Sequence, residues 1–366
     1  MNVLNNYLKD NLKKSVFSFL STFLNCILLL SLLCKPVDLS AQTGSLYSNF
    51  RIMFYNVENL FDPWDDTLTI DDEFLPGGER NWTYQRYKDK VNKLYKTIVA
   101  LGEWDPPSLI AVCEIENKRV LKELLQKTPL KKIDYDIIHF DSPDRRGIDV
   151  ALLYRKDRFT PLHSGKYPVV FSGDSSYTTR DILYVKGQID GVPADPLHIF
   201  VNHWPSRRNG QMASETRRMM ASATLTGIVD SLLLGEEGAR IIITGDFNDQ
   251  PENKSLTKLA SARDPYRPDS EAFVNLCGSW SGDIGSYKYK GQWYMFDQII
   301  VSKSLISETS AYRIDKDSFQ VFHPSFLLVQ DKNYLGLKPF STFYGFSYQG
   351  GFSDHLPVMV DIKFSE

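Results

Sequence analysis

Ile241-Ile242-Ile243-Thr244-Gly245-Asp246-Phe247-Asn248-Asp249 is the most informative stretch of this chain. Its first four residues are apolar or β-branched and read as a buried strand. Gly245 to Asp249 then sets carboxylate and carboxamide at the strand end, where a sheet can hold them rigidly. A second string, Ser353-Asp354-His355, stands directly before Leu356-Pro357-Val358-Met359-Val360, another strand-like run. Aspartate with asparagine, and aspartate with histidine, suit hydrolysis of a phosphate ester, which needs metal ligands, a positioned water and a proton carrier.

Working outward, four more strand ends carry polar groups of the same kind. Asn56 and Glu58 follow the strand Arg51–Tyr55, and alternation along an extended chain predicts that both face one cleft. Glu114 follows the apolar run ending at Cys113, Asn202 and His203 follow Leu197–Val201, and Asp297 precedes Gln298–Val301. Carboxylates at Glu58, Glu114 and Asp354 offer hard oxygen ligands that suit Mg²⁺ or Mn²⁺ rather than zinc. The chain has no HExxH string and no cysteine–histidine cluster. His139, His163, His198 and His323 have no such companions and read as structural or surface residues.

Between these points the pattern alternates. Helices are predicted over Thr83–Leu101, Lys118–Gln126, Met212–Leu234 and Asn253–Ala260. Further strands are predicted at Tyr135–Phe140, Val150–Tyr154, Ile182–Ile189, Arg240–Thr244 and Pro357–Phe364. The acidic stretch from Asp62 to Glu73 reads as a solvated loop, because its spacing fits no regular calcium loop. No repeat and no Gly/Ser/Pro linker separates two cores, so residues 42–366 read as one α/β domain.

The first 41 residues stand apart. Lys9, Lys13 and Lys14 precede a mostly apolar stretch, Val16 to Cys34, and Leu39-Ser40-Ala41 makes a cleavage site before Gln42. That is the order of a secretory signal peptide, so the chain is expected to be exported, periplasmic or extracellular, with no membrane span in its mature part. An uncleaved anchor is the alternative, weakened by Ser18, Ser21, Thr22, Asn25 and Ser31 inside the stretch. Leu33 before Cys34 is too bulky for a lipid-attachment site. Removal of residues 1–41 takes four basic and two acidic residues and moves the formal charge from −3 to −5. Bulk charge therefore does not hold this protein on nucleic acid, although a local basic patch can. The remaining Cys113 and Cys277 make no disulfide framework, and Cys113 reads as a buried thiol.

The chain resembles the endonuclease/exonuclease/phosphatase, or deoxyribonuclease I-like, superfamily from about Phe50 to Phe364. The resemblance rests on Tyr55-Asn56-Val57-Glu58-Asn59, Cys113-Glu114, Arg146-Gly147-Ile148-Asp149-Val150-Ala151, Asn202-His203-Trp204, the Gly245–Asp249 string, Phe296-Asp297-Gln298-Ile299 and Ser353-Asp354-His355. Asn202 to Arg208, with Tyr287-Lys288-Tyr289 before Trp293, looks like the bacterial secreted branch. The resemblance implies a four-layer α/β sandwich: two mainly antiparallel β-sheets packed face to face with helices outside. It implies Mg²⁺, with Mn²⁺ as alternative, on Glu114, helped by Glu58, Asn56 and Asp354. Asp246 would orient or deprotonate water, Asn248 would hold a phosphate oxygen, and His355 steadied by Asp297 would bind phosphate or move a proton. His203 would stabilise developing charge or protonate the leaving oxygen, and the general base stays open. Glu58 stands where a shorter Asp is common in the superfamily, a longer arm whose ligation can run through water.

Three functions follow: a metal-dependent phosphodiesterase, foremost a secreted nuclease; a sphingomyelinase-like enzyme or phosphoinositide phosphatase; and a non-catalytic binding module on the same fold. The third is disfavoured because every expected catalytic position is present. Asn202, Arg207 and Arg208 are expected to contact a nucleic-acid substrate, and Arg217-Arg218 either phosphate or solvent. The Phe- and Tyr-rich segment Ser318–Phe352 reads as packing or as a stacking rim. No stable protein partner is implied.

Overall fold

The computed structural model describes residues 50–364 apart from 172, 175, 193, 194 and 209. The segment read as a signal peptide lies outside the described residues. Eight strands and three helices open the described chain: β1 (Phe50–Leu60), α1 (Tyr84–Gly102), β2 (Leu109–Ile115), α2 (Lys118–Lys127), β3 (Tyr135–His139), β4 (Asp149–Arg155), β5 (Phe159–Tyr167), β6 (Ile182–Ile189), β7 (Leu197–His203), α3 (Gln211–Gly235) and β8 (Arg240–Asp246). There follow α4 (Lys254–Ala260), β9 (Phe273–Asn275), β10 (Tyr287–Tyr289), β11 (Gln292–Tyr294), β12 (Asp297–Ser302), β13 (Tyr312–Ile314) and β14 (Val358–Phe364).

Two large sheets form, ordered β13-β14-β1-β2-β4-β3 and β9-β12-β8-β7-β6-β5, with Gln320–Val321 added beside β14. Within them only β1/β2 and β7/β8 run parallel. Parallel neighbours cannot be joined by a tight turn. Accordingly α1 and α3 lie on the connections that these two pairs need.

Alternation decides the layers. Phe50, Ile52, Phe54, Ala111 and Leu152 of the first sheet pack against Val185, Ile199, Val201, Ile242 and Ile299 of the second, making the central core. The opposite faces take the helices. Met53, Tyr55, Ile110 and Val112 meet Tyr87, Val91, Leu94 and Ile98 of α1 and Leu121 of α2. Phe200, Ile241, Ile243 and Ile300 meet Leu225 and Val229 of α3 and Leu256 of α4. The result is the expected sandwich. The helices start where capping side chains stand: Thr83 accepts from the Arg86 amide, and Asn117 from those of Arg119 and Val120.

Several elements differ from the sequence reading. β5 carries no alternating pattern because it is a largely exposed edge strand, where Pro161 costs no ladder bond to a second neighbour. The acidic loop is only half solvated: Asp62 and Asp71 are buried, and Asp62 takes hydrogen bonds from Asn117 and Arg119. In Ser318–Phe352, Phe319, Phe343 and Phe352 are core residues, while Tyr344 and Phe346 stay exposed. Cys113 and Cys277 are buried free thiols. Among the described residues no helix is long and apolar enough to cross a membrane.

Candidate active site

The site is the polar end of the central core. In β1 the inward positions run Phe50, Ile52, Phe54 and then Asn56; in β7 they run Ile199, Val201 and then His203. The same parity carries Ile242 to Asp246 in β8, and Ile299 back to Asp297 in β12. Register sets these ends side by side, since His203 and Asp297 both pair with Asp246. Gly245 makes the close approach possible, because a Cβ there would lie 2.3 Å from the Asn202 carbonyl oxygen.

Glu114 reaches the cluster differently. Cys113 points into the core, so regular alternation would turn Glu114 outward. Instead Glu114 has φ of 62° at a register shift between Cys113 and Ile115. Its carboxylate then accepts from the Asn59 amide at 2.9 Å and the Asn56 side-chain amide at 3.2 Å. Asn56 also donates to Asp246 at 3.0 Å, tying the two acids together across the sheets.

Two imidazoles flank Asp246: His203 Nε2 at 3.7 Å and His355 Nε2 at 3.8 Å from Oδ2. His203 Nε2 is also 3.8 Å from Glu114. The histidines differ sharply in charge. Asp297 meets His355 Nδ1 at 2.7 Å. Burial opposes a charge on His355, but Asp297, Asp246 and Asp354 together outweigh it and hold its pKa well above the ordinary histidine value. His203 goes the other way: burial, then Arg180 and Arg146, push its pKa well below that value. Their surroundings thus favour a proton on His355 and disfavour one on His203.

The acids are crowded. Burial, with Asp297 and Glu114 adding to it, raises Asp246 to about 6, against the pull of His355. Burial first, then Glu58 and Glu114, raises Asp354 to about 8. Such a set of hard oxygen donors, short of positive charge, fits a divalent cation. Two groups, Glu114–His203–Asp246 and Asp246–Asp297–His355, have ligand atoms close enough to share one.

Asn248, Asp354, Arg207 and Arg208 line the cleft above the cluster, which has a volume of about 610 Å³. Asn248 donates its amide to the Asp246 carboxylate at 2.9 Å and its side chain to the Trp204 carbonyl at 3.1 Å.

Five expected positions behave otherwise. Asn56 offers its side-chain N–H groups to the acids, and its side-chain oxygen, the atom expected on a metal, accepts from the Glu58 amide at 2.9 Å. Glu58 leaves the strand geometry with φ of 50°, and its oxygens accept from the amides of Thr342 at 2.6 Å and Phe343 at 3.0 Å. Buried Lys90 lies 4.0 Å from that carboxylate. Glu58 thus anchors a loop rather than sharing the cleft with Asn56. Asn202 is not exposed to substrate: it sits on the face opposite His203, accepting from the Trp204 indole and donating to the Thr244 carbonyl. Arg207 spends its donors on the Asn248 carbonyl, Asp249, Asn253 and Gln211, so it braces the Asn248 loop. Arg218 is wholly buried against Asp249 and Ser214.

The sequence reading assigned no role to several contributors. The Tyr287 ring lies against His355, tilted by 32° with centroids 4.7 Å apart. Buried Arg180 donates to the carbonyls of His203 and Trp204 and to Asp144, fixing the β7 end. Ser353 ties the final string to β1 through the Asn56 carbonyl, and its oxygen accepts from the His355 amide. Tyr287, in the Tyr-Lys-Tyr string, and Ser353, in the Ser-Asp-His string, stood in motifs visible in the sequence, whereas Arg180 carried no signal.

A sandwich with this polar end defines a phosphoesterase-type fold, and the comparisons agree. The sequence profile of the endonuclease/exonuclease/phosphatase family matches residues 51–364, and the chain belongs to that family. No curated protein sequence matches it significantly. Among solved structures, the human Nocturnin catalytic domain with bound sulfate is 14% identical, with 87% of this chain and 96% of that one covered and a TM-score of 0.53. A mannosyl-6-phosphatase from Bacteroides thetaiotaomicron is 15% identical, covering 86% and 100%, with a TM-score of 0.54. TDP2 of D. rerio, complexed with a single-strand DNA product, is 14% identical, covering 87% and 100%, with a TM-score of 0.52. At these identities the likeness is one of fold.

Proposed function

We propose that this chain is a metal-dependent phosphodiesterase that cleaves nucleic acid. The observation that carries this reading is the composition of the cleft. An imidazolium, a neutral imidazole and Asp246 lie at its base, and its walls combine Arg146, Arg208 and Lys290 with the rings of Tyr287, Tyr289 and Tyr294. Cations suit a phosphate chain, and the exposed Tyr289 ring, with half-buried Tyr287 and Tyr294 nearby, suits stacked bases. The TDP2 structure with its DNA product supports the same choice by analogy of fold.

Mg²⁺ or Mn²⁺, held by Glu114 and Asp354 beside Asp246, would neutralise the phosphate and polarise its P–O bonds. The residues of the chain do the rest. Asp246, raised to about 6, is ionised near neutrality yet basic enough to take a proton from water. The His355 imidazolium, fixed by Asp297, offers positive charge to a phosphoryl oxygen as negative charge grows. Neutral His203 stabilises the departing oxygen through Nε2, and Asn248 donates to the phosphate at the rim. Export, with loss of residues 1–41, belongs to the same proposal, and the amino terminus of the protein recovered from cells reads it directly.

The test is hydrolysis of DNA, RNA, sphingomyelin and inositol phosphates by the purified chain, with Mg²⁺ and with excess chelator. Cleavage of DNA or RNA that the chelator abolishes is expected, with a strong loss in Glu114→Gln. Sphingomyelin hydrolysis without cleavage of either nucleic acid overturns the substrate, and full activity in chelator overturns the metal.

A further inference from the structure

Beside the cleft lies a second hollow of about 400 Å³ that the catalytic reading does not use. It shares Arg146, Ser206 and Arg208 with the cleft and continues past them to Arg145, Arg180 and Arg217. Five guanidinium groups thus face two carboxylates, Asp144 and Asp174. Asp144 is already claimed: buried, it meets Arg180 at 3.0 Å and Arg146 at 3.4 Å. Arg217 lies over the Tyr177 ring at 3.7 Å, with Asp174 at 3.8 Å, a flat and braced posture for a surface arginine. Arg145 reaches the Ser176 carbonyl with one nitrogen only.

Two further features of the hollow are donors in need of acceptors. The Thr178 hydroxyl oxygen is buried in its lining with no hydrogen-bond partner among the described residues. The first turn of α3 also faces it, through Ala213 and Ser214, and its N-cap is Gly210, which supplies no capping side chain. The start of this 25-residue helix thus lies between the two hollows, with Gly210 and Gln211 on the catalytic cleft, and its dipole adds positive potential to that of the guanidinium groups. Excess arginine, an unpartnered hydroxyl and an uncapped helix start all ask for the same thing, an anion rich in acceptors.

We infer that this hollow is a subsite for a second phosphate group of the substrate, one removed from the phosphate being hydrolysed. It lies on the His203 flank, since Arg180 in its lining donates to the carbonyls of His203 and Trp204. The inference rests on the phosphodiesterase reading and deepens it: the preferred substrate carries an additional phosphate, as a nucleic-acid chain does and a simple monoester does not. A polyphosphorylated polyol offers the same chemistry.

Binding, with catalysis silenced by chelator, separates this from turnover. The full chain is titrated calorimetrically with the dinucleotide TpT and with pTpT and TpTp. In parallel it is titrated with inositol 1-phosphate and inositol 1,4-bisphosphate. The extra phosphate is expected to tighten binding about tenfold in at least one series, the scale of one charge-assisted hydrogen bond. The double variant Arg145→Gln with Arg217→Gln should lose that gain, whereas Arg145→Lys with Arg217→Lys should keep most of it; thermal unfolding of each checks the fold. No gain in either series, or a gain that survives the glutamine pair, overturns the subsite. Because the readout needs no hydrolysis, a chain that cleaves no nucleic acid would refute the proposed activity without touching this result.

Discussion

Three residues of the expected site, Glu58, Glu114 and Asn248, have positive φ, with values of 50°, 62° and 51°. Left-handed backbone is disfavoured for residues with a Cβ, and here it buys direction. It turns Glu114 into the cleft and Glu58 out of it. His355 shows the same dependence on context in its charge, which three carboxylates sustain against burial. His355→Ala is expected to lower turnover by about 10² or more, the usual scale for a positioned acid–base group. Asp297→Asn should cost less and leave a distinct mark. Without that carboxylate the imidazole loses its first electrostatic support, so its pKa falls and the alkaline limb of the pH–rate profile moves to lower pH. An unmoved limb in the Asn variant would remove Asp297 from this role.

At the scale of elements, the end of β1 and the loop from Phe340 to Phe352 act as one unit. Glu58 accepts two amides of that loop, and Lys90 of α1 donates to Thr342 and to the Phe352 carbonyl. Burial lowers the Lys90 pKa to about 8, with Glu58 the chief opposing influence. Glu58→Ala would strand two amides and leave this ammonium short of its nearest charge. The expected cost is about 3 kcal/mol or more in denaturant unfolding. Glu114→Gln, which relieves crowding among acids, should stay within about 1 kcal/mol of wild type while losing activity. Equal and small losses in both variants would deny Glu58 its anchoring role.

For the molecule as a whole, stability should vary with pH through Glu116, which lies outside the cleft. Burial first, then Asp62 and Asp71, raise its pKa to about 8, against the Asp62 amide that it accepts. The folded state therefore holds this proton far more tightly than the unfolded chain, whose carboxyl titrates near 4.5. The associated stability is complete below that value and is lost as pH rises toward about 8. Melting temperatures of wild type should fall across this window. In Glu116→Gln the fall should be shallower, because its amide can donate to Asp62 at any pH. Parallel curves for the two proteins would show that Glu116 does not carry the effect.

Most of the framework was legible in the sequence because it depends on local periodicity. Continuous apolar runs at Ile241–Thr244 and Leu197–Val201 mark strands buried on both faces, and the helical spacing from Tyr87 to Ile98 marks an apolar helix face, while the four-layer arrangement came from the family resemblance. Strand parity carries Asn56, His203 and Asp246 from core positions into the open end, which is why those strand ends could be recognised. Tertiary structure decided what parity does not encode. The bulge at Glu114 and the turn at Glu58 reverse their directions through backbone angles set by long-range partners. Asn202 faces away because one step along a strand changes sides, and Arg207 is consumed by a loop 41 residues distant. Opposite protonation of His203 and His355 follows from which charges surround each buried ring, a property of folded space that linear order does not contain.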